Sequence, residues 1–113
     1  MQFTLLHSDK ETSARTGILQ TDHGEIHTPA FMPVGTLGAV KTFSPQELKA
    51  LDTEIILGNT YHLYPRPGDE IIKNDGGLHT FISWLGPIFT DSGRFHVLSL
   101  AGLNTISAEA VNF

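Results

Sequence analysis

The chain contains no cysteine, which rules out a disulfide framework and any zinc held by its own thiolates, and leaves burial as the source of stability. Long apolar runs are missing as well. None approaches the ~20 residues that a membrane-spanning helix needs, and Met1 to Lys10 lacks the basic-then-apolar layout of a secretory signal. A cytoplasmic protein is the expectation. Basic charge is scarce: seven Lys and Arg stand against 12 Asp and Glu, a formal net charge of -5, which argues against a generic polyanion-binding surface. Neither G-x-x-x-x-G-K-[ST] nor G-x-G-x-x-G occurs, so nucleotide hydrolysis by a P-loop is excluded within this chain. Little charge does not mean disorder. With 40% hydrophobic and 17% charged residues, the chain has the apolar content of a folding sequence, and 113 residues make one small domain or part of a larger one.

No repeat, low-complexity tract or composition shift marks a linker. Phe3–His7, Ala14–Gln20 and Glu25–Thr28 read as strands of an antiparallel meander, with Thr21-Asp-His-Gly24 as a turn in which Gly24 takes a positive φ. The grammar then changes. The apolar run Ala30-Phe-Met-Pro-Val34 ends at Gly35-Thr36. Ser44-Pro-Gln-Glu47 carries an N-cap, a proline at the first helical position and a glutamate placed to close a capping box, which predicts a helix from Pro45 to about Leu51. Glu54-Ile-Ile-Leu57 reads as a strand buried on both faces and stopped by Gly58. Asp69–Asn74 has the acidic first turn of a helix, Leu78–Trp84 suits a second short helix, and Pro87-Ile-Phe-Thr90 is another strand ending at Asp91-Ser-Gly93.

Strand and helix in alternation predict parallel βαβ units. Residues 1–29 then form a β meander and residues 30–113 the first βα units of a (β/α)8 barrel. Three parallel strands leave an unpaired edge and a bare face, whereas a complete barrel takes roughly 250 residues. The expectation is an α/β chain holding an incomplete barrel, poorly soluble or partly molten on its own. In such sheets ligands sit beyond the carboxyl ends of the strands, where this chain places Gly35-Thr36, Gly58-Asn-Thr-Tyr-His62 and Asp91-Ser-Gly93.

Asp91 at a strand tip can serve as nucleophile or acid–base group, or cap a loop through its side chain. Asn59, Thr60 and His62 form a second polar group at the neighbouring strand end; a histidine there could shuttle protons or be a satisfied structural residue. Gly35, Gly58 and Gly93 would allow close approach of a ligand, or serve ordinary turns. Phe95 and Tyr61 could stack on a planar base, while Phe31 reads as core. His7, His23, His27 and His79 receive no metal role: none forms an i, i+4 pair on a helix, since His23 and His27, although four apart, fall in a turn and strand of the meander. Lys41, Lys49, Arg66 and Lys73 read as scattered surface charges.

Thr28-Pro-Ala-Phe-Met-Pro-Val-Gly-Thr36, Ile55-Ile-Leu-Gly-Asn-Thr-Tyr-His-Leu63 with Arg66-Pro-Gly68, Gly76-Gly-Leu-His79 and Gly86-Pro-Ile-Phe-Thr-Asp-Ser-Gly93 together resemble the amino-terminal part of bacterial tRNA-guanine transglycosylases, also called queuine tRNA-ribosyltransferases. The resemblance runs from about Phe3 to Phe113, and several long blocks in register are far more specific than any one alone. It implies a zinc-containing (β/α)8 barrel that exchanges the wobble guanine of certain tRNAs for a 7-deazaguanine in the queuosine pathway. By that resemblance one aspartate attacks the ribose C1′ and a second handles the proton of the leaving and entering base. Asp91 matches the second. Ser92 matches a base-contacting residue, Phe95 the aromatic that stacks on the base, and Val34 and Leu57 positions lining the nucleotide pocket. Asn59, Thr60 and His62 match the polar group supporting the Asp91 carboxylate.

Two positions depart from the family pattern. Arg94 stands where a second glycine is usual and His96 where glutamine is usual; a long cation beside the base pocket is expected to impair exchange. The attacking aspartate, the zinc site of three cysteines and a histidine, and most of the tRNA surface belong to the later part of the family's chain. So do most contacts of the family's homodimer. No zinc is therefore expected here, zinc being expected for the full-length family member, and the chain alone is predicted to be inactive. Two other readings stay open: a non-catalytic remnant or accessory binding module of the same fold, and an unrelated barrel hydrolase, which lacks a second strand-end carboxylate.

Overall fold

A computed structural model describes residues 1–91 together with the backbone of two short strands, at 105–106 and 111–112. The amino-terminal third is an antiparallel sheet in the order β1 (Gln2–Ser8), β2 (Arg15–Thr21), β3 (Gly24–Thr28). Thr21 pairs with Gly24 across the β2–β3 turn, and Gly24 takes a φ of 128°, the conformation its lack of a Cβ permits. The Thr21 hydroxyl donates to the Gly24 carbonyl at 2.7 Å and accepts the His23 N–H at 3.2 Å. In β2, Gly17 is buried beneath the Phe3 ring. A Cβ there would lie 2.6 Å from the Thr4 carbonyl oxygen and 2.7 Å from Phe3 Cε2.

The second unit is a parallel sheet, β4 (Val34–Gly35), β5 (Ile56–Gly58) and β6 (Ile88–Thr90), in sequential order. Helix α1 (Pro45–Ala50) connects the first pair; α2 (Thr60–Leu63), α3 (Asp69–Asn74) and α4 (Leu78–Ile82) connect the second. The chain is thus mixed α/β, with an antiparallel and a parallel sheet. α1 begins with a full capping box: Glu47 N–H donates to Ser44 Oγ, and the Ser44 N–H and hydroxyl both donate to Glu47 Oε2 at 2.7 Å. A further antiparallel pair, β7 (Thr105–Ile106) with β8 (Val111–Asn112), follows.

Alternation divides the parallel sheet into two unlike faces. Ile56, 1% exposed, and its partner Ile88 pack with Leu48, Ile82 and Trp84 into the core beneath the helices. Trp84 Nε1–H donates to the Pro87 carbonyl at 3.1 Å, which also accepts the Ile56 N–H, so the same oxygen ties the tryptophan to the start of β6. On the opposite face Val34, Leu57 and Phe89 stand in register across the three strands. Val34 and Phe89 are 51% and 50% exposed.

One expectation is corrected here. Phe31, read as a core residue, is 85% exposed. Its apolar run contributes a strand only at Val34–Gly35, because Pro29 and Pro33 have no N–H for a ladder; Pro33 enters it only as an acceptor, taking the Leu57 N–H at 2.9 Å.

The meander sits at the amino ends of the parallel strands. Glu54, just before β5, accepts the His27 N–H at 2.6 Å and contacts His27 Nδ1 at 2.7 Å. His23, in the β2–β3 turn, stacks on His79 of α4. The carboxyl ends of the strands lie at the other pole of the sheet.

Candidate functional site

The three carboxyl ends gather Gly35-Thr36, Gly58-Asn59-Thr60 and Asp91. Asp91 follows β6 and is tied back to β5 and α2 at three points. Its N–H donates to the Gly58 carbonyl at 3.2 Å, the Thr60 N–H donates to Asp91 Oδ1 at 2.9 Å, and the Thr60 hydroxyl donates to the Asp91 carbonyl at 2.6 Å. Thr60 opens α2, so its N–H is one of the donors a helix leaves unpaired in its first turn; the carboxylate supplies the acceptor. None of the three bonds uses Oδ2. The arrangement fixes the main chain of Asp91 and one carboxylate oxygen, with chemistry suited to accepting or donating a proton through the other.

Asn59 acts one step back. Its Oδ1 accepts the His62 N–H at 3.2 Å and caps α2, shaping the turn that presents Thr60. The His62 ring lies edge-on to Tyr61, with centroids 5.8 Å apart. The structure therefore brings Asp91 and Thr60 into direct contact and places Asn59 and His62 in the helical turn behind them.

Val34 and Leu57 are paired residues just before the strand ends, on the face opposite the core. Gly35 and Gly58 are both buried, yet neither has a positive φ. A Cβ on either would meet neighbours only at ordinary distances, 3.6 Å and 3.7 Å at the nearest. Turn geometry does not account for these two glycines. Ser92, Phe95, Arg94 and His96 lie outside the described residues, as does Gly93. Beside the site, Thr60 and Thr90 border an open apolar cavity of about 490 Å³ floored by Leu63, Ile72 and Leu78.

The chain's donors do not fit a structural zinc. It has no cysteine, and among the described residues no three His, Asp or Glu side chains gather. His27 is engaged with Glu54 and His23 with His79. Lys41, Lys49, Arg66 and Lys73 are exposed. Among the described residues no helix is long and apolar enough to cross a membrane.

Parallel strands joined by helices, with an anchored carboxylate beyond a strand end, define an α/β protein of the class in which ligand sites gather at the carboxyl pole of the sheet. The sequence comparisons give the family. A family profile described as queuine tRNA-ribosyltransferase matches residues 9–113, and the chain belongs to that family. Queuine tRNA-ribosyltransferase of Oleidesulfovibrio alaskensis is 59% identical over 112 residues, covering 99% of this chain and 29% of the relative. Those of Dictyoglomus turgidum and Moorella thermoacetica are 56% and 59% identical, covering 100% and 98% of the chain and 29% and 30% of the relatives. The chain thus spans about 30% of the length of the curated relatives it matches.

Proposed function

We propose that this chain forms the amino-terminal part of a tRNA-guanine transglycosylase, an enzyme that exchanges the wobble guanine of tRNA for a 7-deazaguanine. Residues 1–29 form its meander and residues 30–113 the first βα units of its (β/α)8 barrel. The observation that carries this reading is the anchored Asp91: a carboxylate at a strand end, held through Oδ1 by Thr60, inside a sequence that relatives of this named activity match across nearly its whole length.

In the proposed reaction Asp91 handles the proton of the leaving and the entering base. Ser92 and Phe95 contact the base, and Val34 and Leu57 line the nucleotide pocket. Thr60 holds the carboxylate, with Asn59 and His62 shaping the turn that carries it. The aspartate that attacks C1′ and the zinc site belong to the rest of the barrel, so no step is assigned to either here. Three parallel strands do not enclose a pocket, and the chain alone does not turn over.

The test is a chimera joining residues 1–113 to the remainder of the Moorella relative, assayed by incorporation of labelled guanine into tRNA. The chimera exchanges base, the 113-residue chain does not, and Asp91→Asn lowers kcat by about 100-fold or more, the scale of a lost acid–base group, with tRNA binding retained. Turnover by the short chain, or an undiminished Asp91→Asn chimera, would overturn the proposal.

A further inference from the structure

The rings of His23 and His79 stack with centroids 3.7 Å apart and planes 18° from parallel. His23 belongs to the exposed β2–β3 turn and His79 to α4, so this contact, like the one between His27 and Glu54, fastens the meander to the parallel unit. Its chemistry is different. His79 Nε2 is buried and has no hydrogen-bond partner among the described residues, which suits the lone pair of a neutral imidazole and not the N–H of an imidazolium. A proton on His79 would place an unpaired donor inside the protein and a cation against the face of a second histidine.

We infer that the His23–His79 stack is a pH-sensitive junction, a contact between the meander and the parallel unit that is closed near neutral pH and opens on acidification while the Glu54 contact still holds. The surroundings offer little to offset a charge on His79. The segment after α4 brings the Gly86 carbonyl, which favours the proton but acts more weakly than burial and the His23 charge, both of which hold the His79 pKa below its ordinary 6.5. On the turn side, Asp22 and the Met1 end of β1 line the cavity next to His23 together with Thr21 and Pro87. Lys73 and Asp75, at the end of the α3 helix that packs on α4, are exposed.

The sign follows from linkage. The unfolded chain binds the His79 proton more readily than the folded one, so the contribution is fully present above about pH 6.5 and is lost as pH falls through the folded value. Glu54 works in a separate window. Its pKa is held below the ordinary 4.5, chiefly by the His27 N–H, so its hold on the meander persists until more acidic pH.

Histidine-ring NMR on the full 113-residue chain tests this directly. The ring-proton shifts that His23 owes to stacking are lost in step with protonation of His79, while exchange protection of the His27 amide, which donates to Glu54, persists to more acidic pH. His79→Phe keeps a flat ring in the stack and removes the His23 change; Glu54→Gln leaves the His23 response in place. His23 shifts that stay constant while His79 takes up its proton would overturn the inference on the unmodified chain, whether or not His79→Phe folds. A wild-type pH response in a folded His79→Phe variant would do the same.

Discussion

The two faces of the parallel sheet respond unequally to truncation, and the inequality depends on what covers them. Ile56→Ala removes a side chain that is 1% exposed, in contact with Leu48, Ile82 and Trp84. Loss of its transfer energy plus the cavity left behind costs about 2–5 kcal/mol. Phe89→Ala, one residue on from the Ile88 partner of Ile56, removes a larger ring that is already 50% exposed. Full burial of such a side chain is worth about 1.5–3 kcal/mol; half of that, with no sealed cavity, is about 1 kcal/mol. At about 4–8 °C per kcal/mol for a domain of this size, Ile56→Ala lowers the unfolding midpoint by more than ~10 °C and Phe89→Ala by ~5 °C. Trp84 is the sole tryptophan, 2% exposed and part of the affected core, so its emission reports urea or thermal unfolding without a label. A sheet with one bare face unfolds at low denaturant, and midpoints are the quantity to compare. On the proposed barrel reading, the row Val34–Leu57–Phe89 becomes an interior layer in the chimera. There the cost of Phe89→Ala rises to about 3–5 kcal/mol while that of Ile56→Ala stays the same. Equal losses from both substitutions in the short chain would refute the two-faced sheet. A Phe89→Ala cost that does not rise in the chimera would refute the interior layer.

Ser44→Ala removes the side-chain half of the α1 capping box and the hydroxyl's bond to Glu47 Oε2, leaves the backbone N–H half in place, and costs about 1 kcal/mol, read as a lower thermal midpoint and weaker helical circular dichroism. The Ser44 N–H and hydroxyl hold the Glu47 pKa below its ordinary 4.5. That part of the cap is therefore present above pH 4.5 and fades as pH falls through the folded value, so the wild-type and Ser44→Ala midpoints converge in acid. Gly17→Val drives a side chain into the Thr4 carbonyl and the Phe3 ring. It costs about 1–3 kcal/mol as an overpacked site, and amide exchange accelerates in β1 and β2 while β5 and β6 keep their protection.

The elements readable from sequence were those whose cause is local. A capping box is four consecutive residues, and Ser44–Glu47 forms as its letters imply; the Gly24 turn likewise depends on what one residue lacks. Phe31 shows the limit. Its apolar neighbours suggested a buried strand, but burial needs a covering element as well as an apolar side chain, and none of the described elements covers it. The pair β7–β8 carries no turn signal of the Asn-Gly kind and was not anticipated. His23 with His79, and His27 with Glu54, join residues that only the docking of two units brings together, and no spacing rule reaches that far.

Asp91 lies between these cases. Its position at the end of a parallel strand follows from the βαβ rhythm, and its chemistry from its side chain, so the sequence suffices to single it out. Its principal holder is a backbone N–H, which every residue except proline possesses and no motif can flag. A physical rule nevertheless points to it. A helix that starts directly beyond a neighbouring strand leaves unpaired donors in its first turn, and in a parallel sheet those donors sit beside the next strand's carboxyl end. With Gly58 closing β5 and Asn59 capping α2, the first such donor is that of Thr60, and the acceptor it meets is the carboxylate that follows β6. Thr60→Ser should therefore preserve the clamp. Thr60→Val should keep the N–H to Oδ1 and lose only the hydroxyl bond to the Asp91 carbonyl. A chimera in which base exchange falls with Val and recovers with Ser would show that the hydroxyl positions the Asp91 main chain, whereas equal activity of both variants would leave the backbone N–H as the sole support that matters.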